Sequence, residues 1–156
     1  MKWLAAFIVS VAFIPAANAS VLKAVPFSPD EKNVMIYDGA CGEEERGECV
    51  VAALYCENGA FQIVVSASDK DLAGWFSRGI DKFPVTGFEG LSDLSARSIE
   101  RNELNGDWDV TFQTGVTPSG LAKGASHLIL KAPTPVDLPL DNDARTFISE
   151  LISSCK

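Results

Sequence analysis

Apolar and polar residues alternate along several stretches of the chain. The clearest is "GDWDVTFQT", where Trp108, Val110 and Phe112 alternate with Asp109, Thr111 and Gln113. That spacing predicts a strand with one buried face and one wet face. "AFQIVVS" places Phe61, Ile63 and Val65 on one side in the same way. "CVVAALYC", Cys49 to Cys56, reads as a strand with Val50, Ala52, Leu54 and Cys56 sharing an apolar face. "ENG" (Glu57, Asn58, Gly59) separates these two runs, and Asn-Gly tolerates the positive φ of a tight hairpin. "NVMIYD" is a short strand rich in β-formers. "VLKAVPFSPDE" reads as an extended lead-in with turn residues Ser28, Pro29 and Asp30. "ASHLILKAP" contains another strand, and "PTPVDLP" is extended because its prolines exclude a helix.

The period changes near the C-terminus. Ala144, Phe147, Ile148, Leu151, Ile152 and Cys155 recur at helical spacing behind a cap at Asp141 or Asn142. This predicts a helix whose apolar stripe lies on a sheet and ends in a cysteine. A shorter helix opens at Ser68, with Asp71 in a capping-box-like position and Leu72, Trp75 and Phe76 on one side. Gly74 weakens it. Between Ile80 and Asp107 the pattern is soft: "IDKFPV" is extended, "GFEG" reads as a loop, and "SARSIERNEL" fits a strand or a short helix. The expected fold is α+β: an antiparallel β-sheet or small β-sandwich of about five to seven strands with the C-terminal helix packed on one face, stabilised by disulfides.

The first residues do not belong to that pattern. Lys2 precedes an apolar run from Trp3 to Ile14, Pro15 breaks it, and Ala17-Asn18-Ala19 is an A-x-A cleavage signature. Residues 1–19 are therefore expected to be a signal peptide, leaving 20–156 as one exported globular domain, periplasmic or secreted. No later apolar run reaches transmembrane length, so no membrane span is expected after cleavage. The formal charge is −8, and an acidic chain is repelled by nucleic acid and anionic lipid at long range. A protein partner, if cationic, would be steered toward it.

Export changes how the four cysteines read. An even count in an oxidising compartment points to disulfides, and the chain has neither a C-x-x-C motif nor the short Cys pairs typical of zinc. Cys49 and Cys56 at the ends of one strand lie roughly 23 Å apart at ~3.3 Å per residue, beyond the about 7 Å a disulfide spans. Two pairings survive: Cys41–Cys49 with Cys56–Cys155, or Cys41–Cys56 with Cys49–Cys155. The first is favoured, because Gly42 and Gly47 let the loop "GEEERGE" turn back. Cys56 also shares its face with the apolar residues a packed helix would meet.

Other chemistry is thin. His127 is the single histidine. It could serve as a base beside Ser126, but strand neighbours face opposite sides and no G-x-S-x-G elbow surrounds them. Glu43, Glu44, Glu45 and Glu48 lack the ligand spacing of a calcium loop; they read as solvated charge facing a partner. Asp81 and Asp109 are conceivable as a carboxylate pair, though nothing in the sequence fixes their separation. "GVTPSG" lacks the P-loop lysine. No metal or cofactor is expected.

The runs "CVVAALYCENGAFQIVVS", "GIDKFPV", "DVTFQTGVTPSGLAKGA" and "FISELISSC" resemble small exported bacterial modules, the invasion-associated locus B-like proteins and the type VI secretion accessory proteins similar to them. That resemblance spans Cys49 to Cys155 in outline. It implies a β-rich domain with a strand cysteine and a terminal cysteine, and no catalytic residues to carry over. The resulting expectation is a non-enzymatic, envelope- or secretion-associated interaction module. The second expectation, from another class, is an acidic inhibitor of a basic hydrolase such as lysozyme, with the Glu43–Glu48 loop in a cationic cleft. A carboxylate-based enzyme ranks third.

Overall fold

The computed structural model describes residues 20–28, 33–78, 82–103 and 105–155. The expected leader, residues 1–19, lies outside them, as do Pro29 and Asp30 of the expected turn and Asp81.

Strands β1 (Leu22–Pro26) and β2 (Val34–Asp38) form a first hairpin. A cysteine-bounded loop with a 3-10 turn (Arg46–Cys49) leads into β3 (Val50–Glu57) and β4 (Ala60–Ala67). The turn between them holds Asn58 at φ 51° and Gly59 at φ 76°. Two successive left-handed residues match the twist of the flanking strands. Next come α1 (Asp69–Phe76), β5 (Lys82–Thr86), β6 (Phe88–Glu89), β7 (Asp93–Arg101) and β8 (Trp108–Gln113). The chain ends with β9 (Gly120–Leu121), β10 (His127–Leu130), β11 (Val136–Pro139) and α2 (Asn142–Ser154).

Nine strands form one antiparallel sheet in the order β1-β2-β3-β4-β8-β7-β5-β10-β11, and β6 pairs with β9 in a separate ribbon. The two ends of that order, β1 and β11, lie against each other. The sheet therefore rolls around one core, where Ile36, Ala52, Leu54 and Ile63 meet Val85, Leu128, Leu130 and Val136. Aromatic edges fill the rest: Phe83 lies 5.0 Å from Phe112 and 4.5 Å from Trp75, centroid to centroid. Such pairs add about 0.5–1.5 kcal/mol beyond their burial.

The strand count exceeds the expected five to seven. The lead-in is a full strand, β1, and the "GFEG" loop contains β6. Ser95 to Arg101 of "SARSIERNEL" lie in strand β7, with a bulge: Ala96 pairs with Phe112 and Ser98 with Thr111, so Arg97 is the extra residue. A second bulge breaks the alternation in β3. Ile36 pairs with Ala52 but Tyr37 with Val50, so Val50 is only partly buried and drops out of the face shared by Ala52 and Leu54.

Ser68 caps α1 as expected, its Oγ accepting from the Asp71 amide and donating to the Asp71 carboxylate. Leu72 and Trp75 face the core. Phe76 does not: it is 55% exposed, because the two-turn helix meets the sheet along one narrow side. In β8, Val110 and Phe112 are buried, whereas Trp108 at the strand's start is partly covered by the Arg101 guanidinium, 5.1 Å from its ring centroid.

Helix α2 packs against β1, β2, β3 and β9. Asp141 caps it, Oδ1 accepting from the Ala144 amide at 2.8 Å. Ala144, Ile148, Leu151, Ile152 and Cys155 of the predicted stripe are buried, whereas Phe147 is only partly buried and lines the edge of the helix. Arg145 ties the first turn to the preceding loops through the Leu140 and Ala125 carbonyls. The disulfides are Cys41–Cys49 and Cys56–Cys155, with Cα separations of 6.4 and 5.4 Å. The favoured pairing is the one formed. Among the described residues no helix is long and apolar enough to cross a membrane.

Candidate functional site

The loop between β2 and β3 is held at several points along its length. Its start is fixed by the Asp38 side chain, which accepts from the Ala40 amide at 2.8 Å. The Asp38 carbonyl accepts from Cys41 at 3.0 Å, and the Gly39 amide donates to Val21 at the start of the first hairpin. Gly39 is required there, since a Cβ would sit 2.6 Å from that Val21 oxygen. Two turns follow, Gly42 to Glu45 and Glu45 to Glu48, each closed by a backbone hydrogen bond. The Cys41–Cys49 disulfide closes the whole.

All four predicted partner-facing residues, Glu43, Glu44, Glu45 and Glu48, are exposed. Arg46 is the exception within the loop. Its guanidinium lies 5.0 Å from the Tyr37 ring centroid, and Nη2 sits 3.5 Å from the Glu43 carboxylate. The surface ion pair contributes about 0–1 kcal/mol and the ring contact about 0.5–1. The larger consequence is geometric. Arg46 is folded inward as an anchor, so the outer surface of the loop carries the glutamates.

The other sequence-derived candidates are placed differently. His127, at the start of β10, is exposed, and its Nδ1 lies 2.6 Å from the Asp137 carboxylate on β11 rather than against Ser126. Asp109 accepts from the Asn102 side-chain amide at 3.0 Å on the outer face of β8. Its imagined partner Asp81 lies outside the described residues. Among the described residues no group of three or more His, Cys, Asp and Glu side chains is placed to hold a metal.

Two features appear only in three dimensions. On the outer sheet face, Tyr55 donates to Gln62 at 2.7 Å and Gln62 donates to Glu57 at 3.0 Å. Burial, and then the Glu57 charge, push the Tyr55 phenol above its usual range. At the far end of the first hairpin, a groove of about 660 Å³ runs between α2 and β1–β2, lined by Pro26, Val34, Phe147 and Leu151. Phe27, 61% exposed, stands beside it. No local pattern marks this groove, because its walls come from opposite ends of the chain.

No family model, no curated protein and no solved structure matches the chain.

Proposed function

We propose that this protein is an exported, non-enzymatic interaction module that docks on a cationic surface of a protein partner through its acidic loop. The observation that carries this reading is the stapled loop: four exposed glutamates on a backbone held by a disulfide, two turns and an arginine anchor. A pre-organised loop loses little conformational freedom on binding, and its charge accelerates encounter with a positive partner. Both disulfides support residence in an oxidising compartment. The A-x-A signature supports release after Ala19. The resemblance to locus B-like and type VI accessory modules gives the reading its envelope or secretion setting.

The same loop favours one second reading, inhibition of a basic hydrolase such as lysozyme, whose cleft is a cationic surface of that kind. The test compares the native protein with a variant carrying Glu43→Gln, Glu44→Gln, Glu45→Gln and Glu48→Gln. Crosslinking in the producing cell should yield a defined envelope complex that this variant loses while Glu103→Gln retains it. Capture unaffected by the four substitutions would sink the proposal. Muramidase inhibition, salt-sensitive and lost in the same variant, would select the inhibitor.

A further inference from the structure

The bulge in β7 places one side chain that a regular strand would not. Arg97 is the extra residue there, standing between Ala96 and Ser98, whose partners on β8 are the adjacent Phe112 and Thr111. A bulge releases a side chain from the pleat and re-aims it. Arg97 leans diagonally to Gln113, the direct partner of Ser95, and its Nη1 donates to Gln113 Oε1 at 2.5 Å. Around this pair the end of the sheet forms a concavity of about 480 Å³, closed by the β3–β4 turn at Gly59 and by the loop after β8. Its walls are tied together. Thr114 is buried and donates twice to the Phe61 carbonyl, from its amide at 3.2 Å and from its hydroxyl at 3.1 Å. The Thr117 hydroxyl lies 3.5 Å from the Gly59 carbonyl oxygen and so links the loop to the turn.

We infer that this concavity binds the carboxylate of a small ligand, with Arg97 as its fork. A guanidinium carries five N–H donors in one rigid plane. Gln113 takes a donor at Nη1 and holds that plane still, which leaves further donors for a planar acceptor with two oxygens. Among the described residues Arg97 makes no ion pair. Ser95 and Thr117 bring hydroxyls to the same lining, and Ala60 and Ala96 supply apolar surface for the body of the ligand. Glu57 shares this sheet face, but it accepts from Gln62 at 3.0 Å and is not among the described lining residues. The volume is that of a small-molecule site. A chain of formal charge −8 does not draw an anion from a distance, so recognition rests on the geometry at contact.

The site and the acidic loop lie at opposite ends of β3, so it stands or falls separately from the proposed docking function. The test uses the oxidised protein with both disulfides formed. N-acetylalanine and N-acetyl-trialanine, each also as its neutral carboxamide, are titrated while the Gly59 and Gly115 amides are followed by NMR. Saturable shifts of those two resonances with the acids, and none with the carboxamides, are expected. Arg97→Gln should weaken binding about tenfold, because a hydrogen bond to a charged group contributes that much. Arg97→Lys keeps the charge but loses the fork, and should weaken it as well. Lys123→Gln should leave it unchanged. Arg97 is exposed, so its variants fold, and the same spectra verify it. Equal affinity for the two acids identifies the carboxylate as sufficient; tighter trialanine identifies a peptide C-terminus. Failure of both acids to shift these amides, equal shifts with the carboxamides, or binding indifferent to Arg97→Gln overturns the inference.

Discussion

Removing one disulfide at a time should separate the two by stability. Cys56–Cys155 spans a sequence separation of 99 and Cys41–Cys49 one of 8. A cross-link restricts the unfolded chain by about 2.1 cal/mol/K plus 1.5R ln n, which gives about 4.7 kcal/mol at 25 °C for a loop of roughly 100 residues and about 2.6 for roughly nine. Cys155 is 3% exposed, so Cys56→Ala with Cys155→Ala also leaves a small packing defect, in the same direction. Cys41 and Cys49 are only half-buried and add little of that kind. The long-range pair should therefore cost about 2 kcal/mol more than the short one. With a urea m-value of ~1–3 kcal/mol/M, the two double variants should differ in midpoint by roughly 1–2 M. The m-value of the Cys56/Cys155 variant should rise as well, since its unfolded chain expands further. Equilibrium urea denaturation followed by far-UV circular dichroism reads both quantities. Equal losses, or a larger loss for the Cys41/Cys49 variant, would refute the entropic reasoning. A non-reducing peptide mass map, which should show Cys56–Cys155 and no Cys49–Cys155 peptide, guards the premise.

Four further outcomes are expected. Ile148→Ala, at a position with 0% exposure beneath α2, should cost about 2–5 kcal/mol, against less than about 0.5 for Ser149→Ala on the exposed side, both read by urea denaturation. Asp141→Ala removes the α2 cap and should cost about 1 kcal/mol, with Asp141→Ser recovering most of it. Gly87→Ala should cost more than about 1 kcal/mol, because Gly87 has φ +103° and a Cβ there would sit 2.7 Å from the His127 carbonyl oxygen; a neutral result would show that the β5–β10 approach relaxes freely. Asp69 accepts from the Trp108 indole and, at 2.9 Å, from Arg101, and these contacts hold its carboxyl below its ordinary value of 3.8. A depressed folded pKa means its contribution is present above that value and lost as pH falls through the folded one. The stability gap between the native protein and Asp69→Asn should accordingly be constant near neutrality and vanish only below pH 3.8, as tracked by far-UV circular dichroism during urea denaturation at each pH.

Legibility in the sequence followed the physics of phase. Phe61, Ile63 and Val65, or Val110 and Phe112, sit in uninterrupted strands, and a period of two reads directly as a buried face. The α2 stripe read equally well because its cap and its apolar spacing agree. Where a bulge shifts the phase, the pattern cancels. Leu94 faces the core before Arg97, but after it the residue opposite Val110 is Ile99, so the two halves of β7 look contradictory in one dimension. Strands β6 and β9, two residues each, are too short to show a period at all. Phe76 shares the predicted side yet stays exposed, because helical spacing specifies a side of a helix, not how wide a surface covers it. The acidic loop was visible because its charges are contiguous.

The Cys56–Cys155 link also decides how the molecule would respond to being pulled. Tension applied between Leu22 and Cys155 would pass through β1, β2 and β3 and then cross directly between sulfurs. Everything from β4 to α2 lies inside a covalent shortcut and carries no force. Only the first hairpin and β3 can unspool, at no more than ~3.6 Å per residue, and Cys41–Cys49 withholds a further segment even of that length. Stretched between those two residues, the protein would lengthen by that released segment alone and then stop.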